Sequence, residues 1–143
     1  MTKQVFIRDY QEADYPELMK LWESLDLGRP ERGDDRTVIA KTLQYDGKLL
    51  VAVVENRLIG SAWITNNGRR LYLHHMGVAK EFQRQGIGKR LMEKILEFAE
   101  TMNMQIKLEV HQTNPNATAL YRKYGFEPLS GYQVLINRNT GKK

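Results

Sequence analysis

Apolar positions along this chain change period several times, and each change marks an element. Val5–Asp9 reads as a short strand, after which Leu18, Leu21, Trp22 and Leu25 recur at helical spacing. Asp14, with Glu17 three residues later, predicts a capping box at the start of that helix. The polar stretch Leu27–Asp35 reads as a loop and Arg36–Gln44 as a second helix. Leu49–Glu55 and Leu58–Thr65 are strand-like runs joined through Asn56 and Arg57, a hairpin pattern. Asn66-Asn67-Gly68 signals a further turn into a strand over Arg70–Val78.

A strongly amphipathic helix follows, with Ile87, Leu91, Ile95, Phe98 and Met102 on one face. Ile106–His111 alternates as a strand, placing Ile106, Leu108 and Val110 on one side. Asn114 and Pro115 suit the N-cap and first position of a short helix running to Tyr124. Gly125 suits its left-handed end, with Phe126 available for the accompanying apolar contact. Tyr132–Asn137 is expected to close the sheet as a last strand. The order β-α-α-β-β-β-α-β-α-β specifies an α/β (α+β) class. It implies a mixed, mostly antiparallel sheet with helices on both faces, in a single domain over residues 1–143.

Composition narrows the chemistry. A chain of 143 residues can bury a core without staples, and 41% hydrophobic with 27% charged residues is ordinary for a soluble globular protein. Cysteine is absent, which excludes disulfides, thiolate catalysis and Cys-type zinc sites. Three histidines without ligand spacing make a metal site unexpected. No apolar run approaches the ~20 residues of a membrane span, and the N-terminus lacks a signal-like apolar core, so a cytoplasmic location is the default expectation. The net charge of +5 suits an anionic ligand. The Lys and Arg residues are spread along the chain without an aromatic-rich basic stripe, so nucleic acid is not an expected partner.

The stretch Gln83-Arg84-Gln85-Gly86-Ile87-Gly88-Lys89-Arg90 lies between a strand and the amphipathic helix. Such a loop lays backbone N–H groups around an anion and delivers it to a helix N-terminus. It is not a Walker A loop, because Gln83 stands in the first glycine place and Arg90 in the hydroxyl place. Nor is it a dinucleotide fingerprint, since Leu91 replaces the third small residue and no βαβ unit opens the chain. The pattern that remains is Arg/Gln-x-x-Gly-x-Gly/Ala, met by Gln83, Gly86 and Gly88.

That loop, the preceding strand ending Gly77-Val78, Leu108-Glu109-Val110, Asn114, Ala119-Leu120-Tyr121 and Gly125-Phe126 together resemble the GNAT acetyltransferase superfamily. The likeness covers almost the whole chain and extends to small single-domain bacterial members and ribosomal-protein alanine acetyltransferases. It implies an acetyl-CoA-dependent N-acetyltransferase that moves the acetyl group to a primary amine by direct attack in a ternary complex. By the same resemblance, backbone groups of Met76 and Val78 hold the pantetheine arm. Gln83, Arg84, Gln85, Gly86, Ile87, Gly88 and Lys89 hold the pyrophosphate, and Asn114 lies near the cofactor. The strand after the helix is expected to splay from the one before it and leave a cleft for the thioester. A non-catalytic acyl-CoA-binding or regulatory module on the same fold is the alternative.

Acetyl transfer to an amine needs a base or water relay, oxyanion donors and a proton for the departing thiolate. Tyr121 stands where the family's helix presents a tyrosine to the sulfur; its ordinary alternative is packing against Phe126. Asn114 equally serves as a plain N-cap. Glu109, on the polar side of its strand, matches the glutamate of the alanine acetyltransferases and is the favoured base. His74 and His75, where the family's strand has its bulge, are the other relays, and His111 shares Glu109's face. Arg70–Val78 contains no Asp or Glu, so that strand supplies no acidic base. Trp22 and Trp63 read as core.

The acceptor side of this fold is expected from the first two helices, the loop Leu27–Asp35 and the loop around Ser130. Glu31, Asp34, Asp35 and Glu109 suit a cationic amine, whereas Arg29, Arg32 and Arg36 suit a carboxylate. A small-molecule amine and a protein N-terminus both fit, and homodimerisation is a family habit.

Overall fold

The central hairpin organises the sheet. In this computed structural model, which describes residues 4–28 and 30–140, β2 (Lys48–Val54) and β3 (Arg57–Asn66) pair antiparallel. Glu55 and Asn56 form the connection, with φ of 47° and 66°. A two-residue turn whose central residues both have positive φ matches the twist of the flanking strands. The turn therefore falls one residue earlier than expected, and Arg57 closes the ladder against Val54.

Around this hairpin β1 (Phe6–Asp9), β4 (Leu71–Val78) and β5 (Ile106–Leu108) complete a sheet of order β1-β2-β3-β4-β5. All neighbours are antiparallel except β4 and β5, which run parallel. Helices α1 (Tyr15–Ser24), α2 (Arg36–Gln44) and α3 (Ile87–Met102) connect these strands, and α4 (Pro115–Lys123) follows.

Side chains on β3 show how the layers sort. The fully buried Trp22 of α1 donates from Nε1 to Ser61 Oγ at 2.8 Å and stacks on Trp63, whose own Nε1 donates to Thr42 of α2. Ser61 and Trp63 are two apart and share a face, so α1 and α2 cover that side. A Cβ at Gly60, the residue before Ser61, would lie 3.6 Å from Leu91 of α3, which packs on the other side. The sheet is thus clad on both faces, as the hydrophobic pattern implied. Leu18, Trp22, Ile39, Ile59, Ile64, Leu91, Met92 and Ile95 form its core, each at most 1% exposed.

Three expectations change. The Asp14–Glu17 capping box does not form. A 3-10 turn over Glu12–Asp14 precedes α1, and the Asp14 carboxylate accepts from Gln11 N–H and, through both oxygens, from Arg8. Glu17 instead accepts from the amide of Leu58. Strand β5 stops at Leu108 rather than His111, so Glu109 and His111 do not share a strand.

The third change is the closing strand. Tyr132–Asn137 makes no ladder, and Tyr132, Val134, Leu135 and Ile136 are 71–85% exposed. The chain divides into two compact units, Met1–Glu109 and Val110–Lys143. The second contains, among its described residues, no other strand with which this segment could pair.

Candidate functional site

The open part of β4 is the first component. β5 pairs with β4 only at Leu71–Leu73, whereas β4 continues to Val78. Among the described residues β4 is bonded beyond Leu73 on its β3 side alone, because β5 ends at Leu108, the partner of Leu73. The β3–β4 register shifts between Ser61 and Trp63, leaving His75 and Met76 opposite the single residue Ala62. This is a β-bulge, a device that re-aims backbone and side chains next to sites. Gly77 follows it; a Cβ there would come within 2.8 Å of Leu25 and 3.0 Å of Leu27. The bare glycine lets the end of α1 pack down on the strand.

The bulge holds His75 in the left-handed region at φ 47°, which non-glycine residues seldom adopt. Its carbonyl accepts from Ser61 Oγ at 2.8 Å, and Ser61 in turn accepts from Trp22. The imidazole stands edge-on to Trp22, with ring centres 4.6 Å apart, and tilted against Trp63. Its buried Nε2 lies 3.1 Å from Asp34 Oδ1, inside ion-pair reach but off the line of a hydrogen bond. Gly28 closes the arrangement from above, since a Cβ there would meet Asp34 Oδ2 and His75 Nε2 at 2.6 Å. Sequence reasoning named His75 and Asp34 separately and missed Ser61 and Gly28. A lone Ser inside the apolar run of β3 was the one available signal.

His74, beside it, bonds Thr65 Oγ1 at 2.9 Å through Nε2. Burial and the neighbouring His75 push its pKa below the usual imidazole value, partly offset by Glu109 and Asp34. Glu109 is exposed, one residue past β5, and reaches this group through its charge.

The loop Gln83–Lys89, expected to meet a phosphate, is built differently. Gln83 Nε2 donates to the Val78 carbonyl at 2.8 Å, tying the loop back to the end of β4. That contact gives Gln83 a fastening role and engages one of the two backbone groups expected to meet the pantetheine arm. Arg84 and Gly86 both take positive φ, 65° and 80°. Gly86 caps α3 in left-handed conformation with no side-chain acceptor, and Arg90 N–H to Gly86 O is the first helical bond. The first-turn amides of Ile87, Gly88 and Lys89 are therefore aimed outward with the positive end of the helix dipole behind them. Ile87 anchors the turn in the core at 2% exposure, while Arg84, Lys89 and Arg90 are exposed. Met76 and Val78 close β4, and Gln83–Lys89 follows after the turn Lys80–Phe82, tied to the strand end through Gln83.

In the second unit Asn114 Oδ1 accepts from Ala117 N–H at 3.2 Å and caps α4, so the capping function is present. Gly125, at φ 92°, ends the helix, with Phe126 N–H bonding Tyr121 O. The Tyr121 and Phe126 rings meet edge to face at 5.7 Å, the apolar contact expected of this terminus. Burial raises the Tyr121 phenol above its usual value, keeping it protonated at neutral pH. His111 bonds Thr113 through Nδ1.

Two open depressions in the first unit lie elsewhere: one of about 510 Å³ between β1, β2 and α3, and one of about 490 Å³ beside Tyr45, Met102 and Met104. Neither includes the phosphate loop. Among the described residues no group of three or more His, Asp or Glu is placed to hold a metal, and no helix is long and apolar enough to cross a membrane. Arg29 lies outside the described residues.

Comparison with known proteins agrees with this geometry. The model of the acetyltransferase (GNAT) family matches residues 6–126. An acetyltransferase of Yersinia enterocolitica is 28% identical over 123 residues, covering 85% of this chain and 86% of the relative. Among solved structures, a GNAT-family acetyltransferase of Staphylococcus aureus Mu50 superposes with a TM-score of 0.79 at 20% identity, covering 92% of this chain and 94% of that one. The aminoglycoside N-acetyltransferase AAC(6')-Iy, solved with CoA, gives 0.77 at 17% identity, covering 96% and 97%. At these identities the structural likeness speaks to the fold.

Proposed function

The chain belongs to the acetyltransferase (GNAT) family and is an N-acetyltransferase; from that premise we propose that it takes acetyl-CoA as donor and a primary amine as acceptor, by direct attack in a ternary complex. The observation that carries this reading is the continuity of the open β4 edge with a loop whose amides face outward at the start of α3. A pyrophosphate suits that loop, since Arg84, Lys89 and Arg90 add charge to amides that lack helical acceptors. The free edge of β4 beyond Leu73 suits an extended pantetheine arm, with Met76 as its backbone contact.

The chemistry follows from the thioester. The amine nitrogen attacks the acetyl carbon, the amide forms, and the sulfur departs. Tyr121 gives the sulfur its proton, a role open to a phenol, which carries its proton at neutral pH. Asn114 fixes the start of the helix that carries Tyr121. The amine loses its proton to Glu109 or to a histidine of β4. Holding amine and thioester together supplies much of the acceleration. A single catalytic domain over residues 1–143 is supported by the family match, which runs from the first unit into the second.

The acceptor carries a positive charge before reaction, and Asp34 and Glu109 suit it. Small-molecule amines and protein N-termini both meet that description; the related AAC(6')-Iy was solved with a bisubstrate analogue containing acetylneamine. Release of free thiol from acetyl-CoA in the presence of spermidine, neamine, free alanine and an alanine-starting peptide tests the reading. Amine-dependent thiol release is expected, and Tyr121→Phe should slow it. A chain that binds acetyl-CoA but releases no thiol with any amine would be the non-catalytic module instead.

A further inference from the structure

The β4 bulge holds an imidazole, that of His75, at a backbone position that histidine rarely occupies. Positive φ at a non-glycine residue is strained, so the surroundings must over-determine it. Here they do. The His75 carbonyl is fixed by Ser61, its ring by Trp22 and Trp63, and its Nε2 faces Asp34, with Gly28 leaving no spare room. Glu109, by contrast, is exposed on a strand end.

We propose that His75, oriented by Asp34, is the group that takes the proton from the acceptor ammonium. The proposal rests on acetyl transfer to an amine as the activity. Three observations combine. The residue lies in the bulge, past the point where β5 leaves β4, so it borders the open edge. Its partner carboxylate comes from the loop between α1 and α2, on the face those helices cover. The 3.1 Å approach puts the carboxylate beside the imidazole, close enough for a hydrogen bond to align when substrate is bound.

With Nε2 turned to Asp34, Nδ1 is the nitrogen that accepts. One ammonium proton passes to its lone pair, giving an imidazolium beside the Asp34 carboxylate. The freed amine lone pair forms the N–C bond to the acetyl carbon, and the C–S bond breaks. The second proton lost from nitrogen balances the thiolate, leaving amide and thiol, and the imidazolium returns its proton to water. Asp34 touches neither substrate nor thioester in this scheme and is a positioning residue. His74, with its pKa pushed down by burial and bonded to Thr65, is the neighbouring titratable group.

The test uses His75→Asn and His75→Gly, both of which tolerate positive φ, together with Asp34→Asn, the His75→Gly/Asp34→Asn pair and Glu109→Gln. Each is assayed by thiol release from acetyl-CoA with the amine that the wild type uses fastest among spermidine, neamine, free alanine and an alanine-starting peptide. At neutral pH kcat should fall roughly 100- to 10 000-fold in both His75 variants. The KM for acetyl-CoA should stay within about threefold, because only a step after binding is lost. Added imidazole should restore part of the rate of His75→Gly, and high pH should restore more by deprotonating the amine in solution.

Asp34→Asn should lower kcat about tenfold alone and add nothing in the His75→Gly background, the non-additivity of two residues acting as one unit. Thermal melts of each variant separate this from misfolding. Full activity in His75→Asn, additive losses, or a rate that collapses only in Glu109→Gln overturns the proposal while leaving acetyl transfer intact. A wild type that releases no thiol with any amine overturns both.

Discussion

The β4 bulge and the Gln83–Lys89 loop lie close along the chain, yet they are held in opposite ways. The bulge is fixed by side chains: Trp22 to Ser61, Ser61 to His75, and Asp34 beside the imidazole. The loop is fixed mainly by backbone conformation, with positive φ at Arg84 and Gly86, and its side-chain ties run from Gln83 to Val78 and from Gln85 to Glu81. The start of α3 has no side-chain cap, and on the proposed reading a ligand would meet its amides, whereas the bulge finds its partners in the protein. A site that must recognise a constant pyrophosphate can rely on amides, which carry no side-chain identity. A site that must move a proton needs one group in one orientation.

That contrast can be broken first at Gly86. Its Cβ position meets nothing within 4 Å, so Gly86→Val disturbs no internal contact but strains a backbone at φ 80° and blocks close approach. Acetyl-CoA affinity should fall about 100-fold by calorimetry, roughly 2.7 kcal/mol, with circular dichroism little changed. An unaffected affinity would remove the backbone account of the loop.

Next comes Ser61→Ala, which leaves the Trp22 indole N–H and the His75 carbonyl without their partner. Unfolding in urea should show a loss of about 2–3 kcal/mol, and kcat should fall as His75 loosens. Stability within about 0.5 kcal/mol of wild type would mean the bulge is held by packing alone. Smaller again is Arg84→Gly, which keeps the left-handed backbone and deletes only a charge. Acetyl-CoA binding should weaken about three- to tenfold at low salt and less at high salt, as a solvent-screened contact does.

The smallest effect concerns His74. Its folded pKa lies below the ordinary 6.5, so the unfolded chain binds the proton more readily, and stability falls as pH drops through that range. His74→Gln should therefore narrow the difference in melting temperature between about pH 7 and about pH 5. An unchanged difference would show that His74 does not set the acid limb.

What could be seen in the chain beforehand follows the range of the interactions. Helices α2 and α3 fell where the periodicity put them, because apolar spacing and turn residues are local signals. The loop holding Gln83, Gly86 and Gly88 fell between β4 and α3 for the same reason, since these residues are neighbours in sequence. The capping box failed because Arg8, six residues before Asp14, competed for its carboxylate. The final strand failed because alternation in Tyr132–Asn137 cannot say whether a partner edge exists. The Asp34–His75 pair could not be foreseen as a pair. It depends on a bulge opposite Ala62 and on Gly28, positions separated by tens of residues and joined only by the tertiary fold.

Calorimetric titration of acetyl-CoA into the wild-type chain tests the donor assignment most directly. One-to-one binding with a dissociation constant in the micromolar range or tighter, lost in Gly86→Val, is the predicted result. No heat of binding at micromolar acetyl-CoA, or binding that Gly86→Val leaves intact, would contradict it.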